Sequence, residues 1–317
     1  MKALVLTATI ICFAVVTGVA RADGGPIFND FGGLQGIQAP SGYRYVMIDG
    51  EKSVFLLRIA PDQHVAAYRP LPGRFTIPAV AMDRTTSGLS ADGKTLILVQ
   101  PRFRYGRHHT RFLILSLPGM HVRHAVTLPG DFTFDAMTPD ASVLYFIQYL
   151  RRNDPTRYEV RAFDTEGLKL VPGAIVDRSE PDEEMRGFPV SRVTSADGRY
   201  AYTLYDGGGN TPFVHVLDTI GGQAHCVDLD ELGGNNAIDL FRLRREPDGD
   251  VAVVLRGSPF LVVEKTSFRV VDPASAPPPA HDDQGIPWMP IGVGAAVLVA
   301  LAGLSFLALR RRRPATA

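Results

Sequence analysis

A turn motif recurring about every 50 residues, short β-rich runs flanking each copy, and an uncharged 19-residue stretch followed by four Arg together predict the fold class. The expected fold is all-β: a β-propeller of about five four-stranded blades, with six possible, plus one C-terminal transmembrane helix. With 31 Gly and 24 Pro in 317 residues, the chain is rich in turn formers, which suits many short strands better than long helices. Two Cys exclude a disulfide scaffold. Equal numbers of basic and acidic residues, 33 of each, argue against a dedicated nucleic-acid binder.

In chain order, residues 1–22 read as a signal peptide: Lys2, an apolar stretch from Ala3 to Ala20, and Ala20-Arg21-Ala22 as a cleavage site. Cys12 lies inside that stretch and lacks the small residues that precede a lipidated Cys. Residues 23–272 form the expected extracytoplasmic domain. Residues 273–290 carry six Pro and no apolar period, and read as a partly polyproline II stalk of about 3.1 Å per residue. Ile291–Leu309 is uncharged and close to the ~20 residues a spanning helix needs. Trp288 precedes it at the interface, and Arg310–Arg313 hold the 310–317 tail in the cytoplasm. The expected location is therefore the plasma membrane, single-pass, with the N-terminal domain outside. No Leu-Pro-x-Thr-Gly precedes the span, so wall attachment is rejected. Gly292, Ala296 and Ala300 form a small-xxx-small ladder of the kind that packs helices, though such ladders also arise by chance in Ala- and Gly-rich spans. The exported part holds 27 basic and 33 acidic residues, a net charge of −6, which disfavours adhesion to nucleic acid or anionic lipid.

The repeat occupies the middle of the chain. Ser90-Ala91-Asp92-Gly93 precedes TLILV, Thr138-Pro139-Asp140-Ala141 precedes VLYFIQY, Ser195-Ala196-Asp197-Gly198 precedes YAYTLY, and Glu246-Pro247-Asp248-Gly249 precedes VAVVL. A weaker copy, Ala39-Pro40-Ser41-Gly42, precedes RYVMI. Marking the copies at Gly42, Gly93, Ala141, Gly198 and Gly249 gives spacings of 51, 48, 57 and 51. A period near 50 means stacked supersecondary units. Within each unit, further β-rich runs follow, such as Val54–Ile59, Phe112–Leu117, Tyr158–Phe163, Phe213–Leu217 and Leu261–Val263. His121–Leu128 and Phe268–Val271 read as closing runs, and Leu34–Ala39, Phe132–Met137 and Ile238–Arg244 as leading ones. Asp-Gly suits the turn, because Gly takes positive φ and Asp bonds locally. The ring is expected to close by packing between the first and fifth blades, which removes exposed strand edges.

The Ser-x-Asp-Gly turn, together with strands ending in Asp164-Thr165 and Asp218-Thr219, resembles the YVTN/WD40-like β-propeller repeats of bacterial envelope proteins. The resemblance covers about Gly33 to Val271. It implies the fold but not the function, since such propellers include enzymes, binding platforms and scaffolds. Ala141 replaces the turn Gly in the third unit, and the first unit lacks the turn Asp.

In such blades the loops after the second strands share a face with the inter-blade loops. Two adjacent second-strand loops, 101–110 and 150–156, are basic. They bring Arg102, Arg104, Arg107, His108, His109, Arg151 and Arg152 together, interleaved with Phe103 and Tyr105. Arg forks suit carboxylate and phosphate, so this cluster is the candidate ligand-binding site. The blander alternative is that these loops are solvated or pair with the acidic inter-blade loop 177–186.

No cofactor, metal or catalytic residues are assigned. Adjacent His108 and His109 lack a third ligand, and His121 and His124 point to opposite faces of a strand. Asp228, Asp230, Glu231 and Asn235 resemble a calcium loop only loosely, with Leu232 where a polar ligand belongs. Gly207–Asn210 reads as a hairpin, and Cys226 as a buried small hydrophobe.

The leading function is a membrane-anchored extracytoplasmic module that binds a protein or anionic envelope polymer. One alternative is a lactonase-like propeller hydrolase with its site at the central channel, and another is a purely structural platform.

Overall fold

The structure is a computed structural model that describes residues 35–50, 53–103, 106–152, 154–180, 185–234 and 237–273. These residues belong to the first of two compact units, which meet between Pro277 and Pro278. The predicted signal peptide, nearly all of the stalk, the span and the tail lie outside the described residues. Among the described residues, no helix is long and apolar enough to cross a membrane.

The chain is all-β and runs through five antiparallel sheets in succession, four of them four-stranded. Sheet one holds β1 (Ile37–Gln38), β2 (Arg44–Asp49), β3 (Ser53–Ile59) and β4 (Val65–Pro72). Sheet two holds β5 (Thr95–Val99), β6 (His109–Ser116) and β7 (His121–Pro129). Sheet three follows with β8 (Asp131–Met137), β9 (Val143–Arg151), β10 (Asp154–Asp164) and β11 (Lys169–Leu170). Sheet four holds β12 (Pro189–Thr194), β13 (Tyr200–Tyr205), β14 (Phe213–Asp218) and β15 (Gln223–Asp228). Sheet five ends the series with β16 (Phe241–Arg245), β17 (Val251–Leu255), β18 (Ser258–Val263) and β19 (Val270–Val271). Each is a meander in sequence order, as the repeat requires. The leading run Ile238–Arg244 is split: Ile238–Leu240 is a 3-10 turn and only the remainder is strand.

The recurring turn has a physical basis. Ser195 Oγ accepts the N–H of Tyr200 at 2.8 Å and donates to Asp197 at 2.6 Å, while Asp197 accepts the N–H of Arg199 at 3.0 Å. Ser90 and Asp92 repeat the pattern, and so do Thr138 and Asp140. The Ser195 hydroxyl and the Arg199 N–H hold the Asp197 carboxyl below its usual range. Ala141 sits at φ 59, the left-handed region its glycine counterparts occupy. Its methyl is buried in the cluster between sheets two and three, which offsets the steric cost of that conformation. The two Asp-Thr elements lock back onto these turns. Thr219 Oγ1 donates to Arg199 O at 2.8 Å, and Thr165 Oγ1 to Ala141 O at 2.9 Å.

Neighbouring sheets pack face to face. In β5, Leu96 and Leu98 enter the cluster shared with sheet one, while Ile97 and Val99 enter the cluster shared with sheet three. Phe112, Phe132, Phe134, Phe146 and Phe163 fill that second cluster, and several meet edge to face, with Phe134 and Phe146 at 5.9 Å. Ala136, Tyr145, Ala201 and Leu217 join sheets three and four. Tyr202, Val216, Phe241 and Val253 join sheets four and five. The far face of sheet five (Ala252, Val254, Val262) forms a cluster of its own. Among the described residues, no apolar cluster joins sheet five to sheet one. The stacking that the apolar clusters show is that of successive sheets, from one on two through to four on five.

One element has no counterpart in the repeat. Residues 75–88 form an irregular hairpin before β5, with Thr76 paired to Val99 and Ala79 to Thr86. At its tip, Met82 N–H donates to Pro189 O at 2.9 Å and Asp83 N–H to Val190 O at 3.2 Å. The hairpin thus ties sheet two to the leading strand of sheet four, and Ile77, Val80 and Ala81 are buried. It also takes the place of a full leading strand in sheet two, where β5 is met by the isolated bridges Leu89–Leu96 and Thr76–Val99.

Ser195→Ala removes the acceptor for the Tyr200 N–H and the donor to Asp197. It should destabilise the protein by about 1–2 kcal/mol in urea unfolding.

Candidate functional site

The basic loops meet, but only part of the predicted cluster faces solvent. Arg102 is 1% exposed and pairs with Asp131 at 3.0 Å. Its guanidinium also lies 4.3 Å from the Tyr149 ring centroid. Arg107 Nε reaches the same Asp131 oxygen at 3.0 Å, and Gly106 N–H donates to the other at 3.0 Å. Arg107 further donates to Gln100 O at 2.9 Å and to Phe132 O. Asp131, at the start of β8, therefore anchors the loop from inside and draws Arg102 and Arg107 into structural roles. The reason is elementary: a buried carboxylate must be paired.

Arg104 lies outside the described residues. His109 is exposed at the start of β6. Arg151, Arg152 and His108 are surface residues at the meeting of the two loops, with Arg152 donating to the His108 ring. The carboxylate that both Arg102 and Arg107 engage is Asp131, on sheet three.

Beside this basic rim, a cleft of about 570 Å³ opens between sheets three and four. That volume is in the range of small-ligand sites. Leu150, next to Arg151, is on its wall, and the 207–211 loop and the connection carrying Asp177, Glu180 and Arg186 frame it. Tyr158, Met185 and Phe213 supply an apolar surface. The acids are Glu159, Asp177, Glu180 and Asp228.

Their states differ. Glu159 pairs with Arg161 at 3.0 Å. Burial pushes the Asp177 carboxyl up, but the Ser179 hydroxyl at 2.6 Å and the Cys226 N–H at 2.8 Å outweigh it and hold the group below its ordinary value. Burial, with the charges of Glu180 and Asp230, raises the Asp228 carboxyl above its ordinary value. Among the described residues, neither Asp228 nor Glu180 has an ion-pair partner.

His215 forms part of the cleft lining from the middle of β14. It is 2% exposed, and burial pushes its pKa down to about 4, so it is neutral at pH 7. Its Nε2 has no hydrogen-bond partner. Across the sheet it stands in one row with Arg192, Thr203 and Cys226. At the inner end of that row, Arg192 pairs with Asp135 of β8 and donates to its backbone carbonyl at 3.0 Å.

Cys226 is half-buried on the cleft wall, so the expectation of a fully buried small hydrophobe is corrected. It sits directly opposite His215 in the strand pairing. This pair does not make an activated nucleophile, because a base of pKa about 4 is poorly matched to a thiol of ordinary pKa ~8.5. Leu232, which breaks the calcium-loop pattern, is fully buried among sheets four and five.

Sequence reasoning singled out the two basic loops and missed the cleft beside them. Its lining comes from positions scattered between Leu150 and Asp228 that share no motif. The only signal available was the acidic connection around Asp177–Glu180, which was read as a counterweight to the basic loops.

No family model and no curated protein matches the sequence. Solved structures similar to it include a functionally unknown protein from Desulfotomaculum acetoxidans, at 14% identity and TM-score 0.45, covering 74% of this chain and 67% of that one. Another is the Dos1 propeller, at 11% identity and TM-score 0.41, covering 74% of this chain and 53% of that one. A third is the dihydro-heme d1 dehydrogenase NirN, at 14% and 0.42, covering 74% and 44%. The chain thus spans about half the length of the last two. Likenesses this distant carry no functional argument, and the architecture above rests on the chain's own strand pairing.

Two predictions follow from the buried charges. Asp131→Ala leaves Arg102 buried without its carboxylate and should cost about 3–5 kcal/mol in urea unfolding. His215 is neutral when folded but protonates near pH 6.5 when unfolded, so the unfolded state binds more protons between pH 6.5 and 4. Stability should fall through that window as pH drops, by roughly 3 kcal/mol more than in His215→Phe, when both are unfolded in urea across the range.

Proposed function

We propose that this chain is a propeller-type binding module whose ligand site is the cleft between sheets three and four, with Arg151, Arg152 and His108 on the adjoining rim. The observation that carries the reading is the cleft itself: a small-ligand volume lined by Asp228 and Glu180, which have no ion-pair partner among the described residues, and by the unpartnered Nε2 of buried His215. The His215 Nε2 is held dry without a partner, which is costly in a purely structural site, while Asp228 and Glu180 stand exposed on the cleft lining where a ligand can pair them. In this reading the signal peptide, Pro-rich stalk and C-terminal span expected from the sequence present the module outside the plasma membrane. Its partner is a protein or envelope component, and the basic rim suits an anionic portion of it.

The test is a thermal-shift screen of the full-length protein in detergent against amines, amino acids, sugars and carboxylates. At least one class should raise the unfolding midpoint of the wild type and leave Thr211→Trp, which fills the cleft, unmoved. A panel without effect, or with equal effect on both proteins, would overturn the reading.

A further inference from the structure

Resting on the reading that the cleft is a ligand site, we infer that it accepts an organic cation: a primary ammonium or guanidinium group on an alkyl stem, seated between Asp228, Glu180 and His215. Four features converge on this chemistry.

The first is charge. Asp228 and Glu180 face the cleft without an ion-pair partner among the described residues, and with Asp230 they repel one another. Arg186 is the positive charge on the described wall, against Asp177, Glu180 and Asp228, the fourth acid, Glu159, being paired with Arg161. A cation relieves the repulsion, and a second anion worsens it.

The second is the unpartnered Nε2 of His215 at the cleft lining. A neutral imidazole can accept an N–H from the ligand without adding a like charge. An imidazolium there would repel the cation, and burial prevents that state.

The third is the rest of the lining. Phe213, Tyr158, Met185 and Leu150 give an apolar channel for a methylene stem. Aromatic rings beside the acids also suit a cation over their faces.

The fourth concerns metal ions. Among the described residues, no three His, Cys, Asp or Glu side chains are grouped as metal ligands. The acids are instead spread along a cleft too large for a bare ion, and this favours an extended organic cation.

The same chemistry is offered by a free alkylamine and by a Lys or Arg side chain of a polypeptide. Titration calorimetry on the full-length protein in detergent distinguishes them, with agmatine and the peptide Gly-Gly-Arg-Gly-Gly as probes and 1,4-butanediol as the neutral control. Agmatine or the peptide should bind the wild type, and 1,4-butanediol should not. Affinity should fall at least about tenfold in the double variant Glu180→Gln/Asp228→Asn, and should weaken with added salt. Thr211→Trp should abolish binding, with Asn210→Trp as a second occluding variant should the first fail to fold. Tighter binding of the peptide assigns the site to a polypeptide side chain, and tighter binding of agmatine to a free amine.

Two results would overturn the inference. If a sugar or carboxylate binds in a Thr211→Trp-sensitive way while both cations fail, the cleft remains a ligand site and its cation preference is refuted. If nothing binds in a way that the occluding variants remove, the site and its preference fall together.

Discussion

A four-stranded sheet with apolar side chains on both faces has no side to turn to water, and the rest of this structure depends on that constraint. In β5, alternate residues serve two different clusters, so the strand reads as the unbroken run TLILV rather than as an alternation. The same holds for β17, where Val251 and Val253 face sheet four and Ala252 and Val254 face the other way. Each sheet must therefore stack on its neighbours, and burying apolar area at roughly 25 cal/mol per Å² makes that stacking the main source of stability. The Ser-x-Asp-Gly turns contribute less energy. Their role is register: the hydroxyl and carboxylate bond nearby N–H groups, so the following strand starts at a set residue.

Polar groups caught between such sheets must be paired, and this requirement shapes the candidate site. Asp131 draws Arg102 and Arg107 inward, and Asp135 holds Arg192 between the leading strands of sheets three and four. What remains at the surface, Arg151, Arg152 and His108, forms a basic rim. At the cleft beside it, Asp228 and Glu180 have no counter-ion among the described residues, and His215 is one of several buried groups with an unpartnered atom, the one that lines the cleft.

Much of the fold was legible in the chain because its signals are local. The turn hydroxyls, the turn glycines and the two Asp-Thr elements act within about 25 residues of one another, and they repeat. Even Ala141, which breaks the pattern, was placed at the correct turn by its neighbours Thr138 and Asp140. The 75–88 hairpin was not legible, because its pairing is irregular and its partner, Val190, lies more than 100 residues away.

The sequence by itself determined the all-β class, the repeat of antiparallel meanders, the turn chemistry and the adjacency of the two basic loops. Each is set by interactions within a unit or between consecutive units. Only the tertiary structure decided which charges are free. Whether an Arg meets solvent or a buried carboxylate depends on what the next sheet places opposite it, and Asp131 sits 29 residues beyond Arg102. The cleft has the same origin. It is the space left between two sheets whose edges come from residues 150–228, and a volume between surfaces has no representation in the order of residues along a chain.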